Sequence, residues 1–195
     1  MRRWRYVPAL LIGLAVSLPV LAADESVVDS VPLDPVHSRI GFEIRTRYGQ
    51  RLEGHFPRFE GRRETLADGR QRVVVQLDAS HVEIPGHPRY TRLVRAAEFF
   101  DVATHPRIDF QSLPHSPDTA RTGATVDGWL TLRGIRGPVR MQVAAAGCPR
   151  PGYDCAVTGK GEISRSAHGM DRWQLAVGDR VTFVLQVRLA GADPQ

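Results

Sequence analysis

Asp34, His37 and Ser38, within the stretch DPVHS, carry the residue types of an activated nucleophile. An acid, a base and a hydroxyl do that work only within hydrogen-bond reach of one another. On a strand, His37 and Ser38 point to opposite faces. No G-x-S-x-G elbow occurs in the chain. Asp34, Pro35 and His37 are therefore expected to shape a turn and tie it down through local hydrogen bonds. Seven histidines, at positions 37, 55, 81, 87, 105, 115 and 168, raise the question of a metal. None forms H-x-H or H-E-x-x-H. No metal ligand and no catalytic residue is assigned, and turn or surface positions are expected for these side chains.

Two further groups could do chemistry. Cys148 and Cys155 stand in CPRPGYDC. An even cysteine count in a chain with an export leader, described below, reads as a disulfide. The spacing is wrong for a C-x-x-C redox pair. Pro149, Pro151 and Gly152 make the intervening stretch a turn, and a hairpin end would set the two side chains opposite one another. Closing so small a loop stabilises by roughly 2–3 kcal/mol on the chain-entropy model. In GKGEISRS, Gly161, Ile163 and Arg165 share a face of a regular strand. A charge among inward positions needs a partner. One reading is an anion in the interior, such as a phosphate head group. The other, the commoner origin of such charges, is an ion pair closing a barrel end, or a bulge in SAHG that turns Arg165 outward.

The elements that must position these groups begin after a leader. Arg2, Arg3 and Arg5 precede an uncharged, mostly apolar run from Pro8 to Ala23. A positive head, a short apolar middle and small residues before Asp24 read as a secretory signal peptide, residues 1–22, with a periplasmic destination. The run is shorter than the roughly 20 residues of a membrane span. Residues 23–195 then form one domain with a real core. Three arginines leave with the leader, so the formal charge falls from +5 to about +2. Lys160 is the only lysine, and no basic run interleaves with aromatics, which argues against nucleic acid.

Period two dominates the mature chain. RIGFEIR sets Ile40, Phe42 and Ile44 on one face. RVVVQLDA aligns Val73, Val75 and Leu77, and RIDFQS aligns Ile108 and Phe110. VDGWLTLR aligns Val126, Leu130 and Leu132, and PVRMQVA aligns Val139, Met141 and Val143. VTFVLQVRL aligns Val181, Phe183, Leu185, Val187 and Leu189. Asp68-Gly69 marks a turn, while Gly54, Gly128, Gly159 and Gly161 suggest bends or bulges where a sheet curls. About eight half-buried strands predict an antiparallel sandwich or barrel. One stretch breaks the period: from Pro88 to Phe100, Leu93, Ala96, Ala97 and Phe100 recur at helical spacing, with Pro88 near the start. Phe100 continues that stripe, and Phe99 faces the strands or a cavity.

Taken in order, these stretches resemble the YceI-like family of secreted, lipocalin-like, polyisoprenoid-binding proteins, from about Asp34 to Leu189. DPVHSRIGFEI looks like the family's D-x-x-H-S strand, and LEGHFPRFEG like its G-x-F segment. FFDVATHPRIDFQS looks like its F-F-D-x-x-x-x-P-x-I-x-F-x-S hallmark. VDGWLTLRGIRGPV looks like G-x-L-T-L-x-G-x-x-x-P-V, and SRSAHGM like R-x-x-x-G-M. His105 stands where the family often has tyrosine. The helix reads Tyr90-Thr91-Arg92-Leu93-Val94-Arg95 in place of R-D-x-H-L-R. Ala167 and His168 replace the usual Asp and Phe.

The resemblance implies an all-β fold: an elongated eight-stranded antiparallel lipocalin-like barrel with a short helix between strands. Its apolar tunnel would hold an isoprenoid lipid or quinone. The inward rows, with Phe99, Ile163 and Arg165, would line that tunnel. No cofactor beyond the bound lipid is expected. Transient membrane contact and a homodimer are further expectations. A filled barrel acting by protein contact, supported by the outward Trp129, is the alternative, and a hydrolase of prenyl lipids a more distant one.

Overall fold

The computed structural model describes residues 25–172 and 176–191. The expected leader, 1–22, lies outside them, as does most of the AGADPQ tail. Ten strands run β1 (Val27–Pro32), β2 (Arg39–Thr46), β3 (Arg51–His55), β4 (Phe59–Leu66), β5 (Gln71–Asp78), β6 (Arg107–Ser112), β7 (Ala124–Leu132), β8 (Ile135–Val143), β9 (Val157–Ser164) and β10 (Val177–Val187). Helix α1 (Pro88–Arg95) lies between β5 and β6, and the single turn α2 (Thr119–Thr122) between β6 and β7.

Every alternating stretch is a strand, and each apolar row is its inner face. The strands form one antiparallel sheet in the order β1-β4-β5-β6-β7-β8-β9-β10-β2-β3. The sheet curls into a half-barrel whose two ends are joined through the chain itself. β3 runs into β4 through only Phe56–Arg58, and β1 into β2 through Leu33–Ser38. A bridge between Leu33 and Leu189 ties the same seam. Ten strands therefore stand where eight were expected, because two long strands are each broken by a bend. Pro57 lacks the N–H that would continue the ladder. At the other bend, Asp34 Oδ1 accepts from the Val36 and His37 N–H groups, at 2.8 and 3.2 Å.

Gly54, Gly128 and Gly161 mark close packing rather than bulges. The register irregularities lie at Val27/Asp29 and Val177/Val181. Gly161 pairs with Met141, and a Cβ there would sit 2.2 Å from the Met141 sulfur. Gly54 pairs with Phe42, whose ring would lie 2.3 Å from such a Cβ. Phe42 and Met141 thus each lie over a glycine on the neighbouring strand.

The helix is shorter than its apolar spacing predicts. Ala96 is already extended at φ −68°, ψ 165°, so Ala96, Ala97 and Phe100 lie beyond α1, and Val94 is its buried residue. The chain then turns tightly, with Asp101 at φ +50° accepting from the Thr104 and His105 N–H groups. Arg133 holds this joint from the β7–β8 turn. Its Nη1 donates to the carbonyls of Ala97 and Phe99, at 2.7 and 2.6 Å. Arg133 and Gly134 both have positive φ, +53° and +72°, as a two-residue hairpin of matching twist requires.

Candidate functional site

The interior of the curled sheet is divided. One cavity, of about 250 Å³, lies between β2, β3, α1 and the start of β10. Its wall is apolar: Phe42, Ile44, Leu52, Val94, Phe99, Phe100, Val181. Exposed Tyr48 and Leu93 stand at its rim. A second cavity, of about 390 Å³, lies at the opposite end, under α2 and the Cys148–Cys155 loop. Val73, Phe110, Val126, Met141, Val143, Leu185, Val187 and Leu189 form its apolar wall.

The strands show what separates them. Along β10, Val181 lines the first cavity, Leu185 the second, and Phe183 neither. Along β9 and its continuation, Gly159 lines the second cavity, Arg165 the first, and Ile163 neither. The intervening residues form a packed belt. Its centre is an aromatic cluster in which Phe56 lies 6.3 Å from Phe183 and 5.9 Å from Phe100, ring centre to ring centre. Phe42 meets Phe100 edge-on at 5.4 Å. Such clusters add packing energy beyond area burial.

The residues assigned to a tunnel from the sequence fall into three groups. Phe42, Ile44, Phe99, Arg165 and Val181 line the first cavity. Phe110, Met141, Val143 and Leu185 line the second. Ile40, Val75, Leu77, Ile108, Leu130, Leu132, Val139, Ile163 and Phe183 line neither and pack in the core. Phe99 and Phe100 both face the first cavity, because the tight turn after α1 presents adjacent residues to the same space.

Arg165 is 1% exposed. Neither structural reading from the sequence describes it: it faces inward, and no ion pair with a carboxylate holds it among the described residues. Backbone carbonyls do. Nη2 donates to the Arg172 carbonyl at 2.7 Å and Nη1 to that of Gly178 at 3.3 Å. The guanidinium lies 4.9 Å over the Phe99 ring. Its Nε is buried with no partner. Burial lowers its pKa from the ordinary guanidinium value, partly offset by the charges of Asp179 and Asp171. Arginine remains charged in proteins nonetheless, so this N–H is a buried, unsatisfied cationic donor on a residue that lines an apolar cavity.

The sequence reading missed Arg63. It lies on the inward row of β4 with Phe59 and Gly61, paired to Val73, and lines the second cavity. The signal was its alternation with Gly61, hidden in the polar stretch FEGRRETL. Its Nε is also buried without a partner. His115 lines the same cavity, and burial lowers its pKa, so it is uncharged at neutral pH.

Other chemistry-bearing residues are accounted for locally. His37 Nδ1 meets Asp34 Oδ2 at 2.6 Å in an exposed turn, while the Ser38 hydroxyl faces away and accepts from the Arg188 N–H at 2.9 Å. His55 pairs with Glu83 and His81 with Asp78. His168 departs from the surface expectation: it is buried, its Nδ1 3.1 Å from the Ser164 carbonyl. Cys148 and Cys155 form a disulfide, with Cα atoms 6.2 Å apart. They sit not across a hairpin end but in a loop folded onto the barrel seam, where the Leu189 N–H donates to the Gly152 carbonyl.

A curled antiparallel sheet around apolar chambers, with a short helix at one mouth, defines a lipocalin-like β-barrel protein. The chain belongs to the YceI-like family, whose domain model matches residues 32–189. It is similar to BcnA of Burkholderia cenocepacia, at 22% identity and a TM-score of 0.61 over 80% of this chain and 98% of that one. It is similar to a polyisoprenoid binding domain from Saccharophagus degradans implicated in plant cell wall breakdown, at 15% identity and a TM-score of 0.56 over 81% and 97% of the two chains. The Campylobacter jejuni YCEI protein shares 13% identity with a TM-score of 0.52, over 74% and 86%. These likenesses carry the fold. No curated protein matches the chain.

Proposed function

We propose that this chain is a periplasmic binding protein that sequesters or carries an isoprenoid-type lipid, a polyprenyl chain or an isoprenoid quinone, without catalysis. The observation that carries the reading is the first cavity, an apolar chamber inside the half-barrel, open at a rim of exposed Tyr48 and Leu93. Family membership and the polyisoprenoid-binding neighbour support the ligand class. The arginine-headed apolar leader and the disulfide support export. An isoprenoid tail gains roughly 0.8 kcal/mol for each methylene it removes from water. The chamber supplies that burial, and the Arg165 guanidinium at its wall supplies a positive charge for a head-group oxygen.

The test uses farnesol, a three-isoprene alcohol, titrated calorimetrically into the mature protein. Leu93→Asp puts a charge at the mouth on a residue already 38% exposed, so the fold is expected to persist. Its farnesol affinity should fall at least tenfold, about 1.4 kcal/mol. Equal affinity for the parent and the folded variant would remove this chamber from the binding site.

A further inference from the structure

The cavity at the disulfide end is built differently from the first, and its charges show what it would hold. Three arginines reach it: Arg63, Arg121 and Arg150. Arg121 is paired with Asp118, and Arg150 with Asp154, each at 2.6 Å. The Arg63 side chain makes no hydrogen bond or ion pair among the described residues. Its only partner is the ring of Tyr153, 5.9 Å from the guanidinium carbon. Its Nε is shielded and unsatisfied, so the charge is poorly compensated by the protein, on a residue that lines the cavity. The wall beyond Arg63 is apolar, through Phe110, Met141 and Leu185, and ends at the packed belt.

A cation at the rim, an apolar depth and a closed floor fit one chemical class. We propose that this cavity is a second, independent ligand site for a single-chain anionic amphiphile, a long-chain carboxylate, with its head group on Arg63 and its tail against Met141. Two counter-charges already neutralise the neighbouring arginines, so one anionic group completes the balance. A charged head on a cationic donor makes a stronger bond than a neutral one, so the site should prefer a carboxylate to the alcohol of equal chain length. The belt prevents a ligand here from sharing space with one in the first cavity. The proposal therefore does not depend on the isoprenoid reading.

The test titrates dodecanoate and dodecanol at neutral pH into the disulfide-bonded mature protein, with and without farnesol. Dodecanoate should bind once per chain, at least tenfold more tightly than dodecanol, and should not displace farnesol. Arg63→Gln should erase the preference for carboxylate. Gly159→Leu offers a second variant. A Cβ there meets nothing closer than the Met141 Cε at 3.6 Å, so the side chain should enter the cavity and abolish dodecanoate binding. Farnesol binding should survive both changes. Dodecanoate that competes with farnesol, or binds Arg63→Gln as tightly as the parent, would overturn the proposal. Failure of farnesol alone, with Arg63-dependent dodecanoate binding intact, would instead overturn the isoprenoid reading.

Discussion

Arg165 and Arg63 are both inward cations on strands that otherwise turn apolar side chains to the interior. They differ in what already holds them. Arg165 joins the chain after β9 to the start of β10 through the carbonyls of Arg172, Val177 and Gly178, so it anchors the β9–β10 connection whatever the cavity contains. Its Nε and one Nη2 N–H are left without an acceptor among the described residues. Arg165→Gln is therefore expected to weaken farnesyl phosphate about tenfold more than farnesol, compared by titration; an equal loss for both would confine Arg165 to the loop. Glu64 shows how a buried charge is held without ligand. It is 4% exposed and lies between Arg62 and Arg72, at 2.6 and 2.8 Å. Burial alone would raise its pKa, but the hydrogen bonds from Arg72 and Arg62 outweigh that and hold it below the ordinary 4.5. A carboxyl depressed by folding contributes stability that is complete above its unfolded value and is lost as pH falls through the folded one. Glu64→Gln should cost about 1–3 kcal/mol at neutral pH. The gap in melting temperature between parent and variant should close as pH drops below 4.5. A gap that stays constant into acid would contradict the assignment.

At the scale of elements, the joint EFFDVATHPRIDFQS is a scaffold connection that presents two aromatic rings to a cavity. α1 stops at Arg95, a tight turn follows, and Arg133 clamps the Ala97 and Phe99 carbonyls from the β7–β8 hairpin. Arg133→Ala should lower stability by about 1–3 kcal/mol, as loss of hydrogen bonds from a charged donor does. Hydrogen exchange should speed up in the 96–104 segment while β7 and β8 stay protected. Unchanged exchange there would show that the clamp is not needed. Strong alternation made β2, β5, β6, β7, β8 and β10 legible, down to the inward face. β1 and β3 are not legible as strands, and β4 is legible only as a candidate before the Asp68-Gly69 turn with no inward face assigned, because RLEGH and FEGRRETL carry glycine and charge on faces that neighbouring strands and ion pairs cover. Arg63 was lost with β4. Period two gives the side of a sheet but not the depth along a barrel. It could not tell Val181, at a cavity, from Phe183, in the belt two residues on. The apolar spacing places the helix but overextends it, since Ala96, Ala97 and Phe100 keep helical spacing in a segment that turns instead.

For the whole molecule, the half-barrel offers two apolar chambers at opposite ends of one core, with a wall of phenylalanines between them. An isoprenoid longer than the first chamber must displace Phe56 or Phe183, or leave its end in solvent at the Leu93 rim. A barrel acting purely by protein contact would need neither chamber filled, and Trp129, with Arg136 4.8 Å over its ring on the outer surface, is the feature such a partner would meet. The measurement that decides most directly is native mass spectrometry of the mature protein purified from its own cells, followed by solvent extraction. A stoichiometric adduct of prenyl-lipid mass, released by solvent, is expected. A clean apo mass that stays unchanged when prenyl alcohols, prenyl phosphates and quinones are added would contradict it.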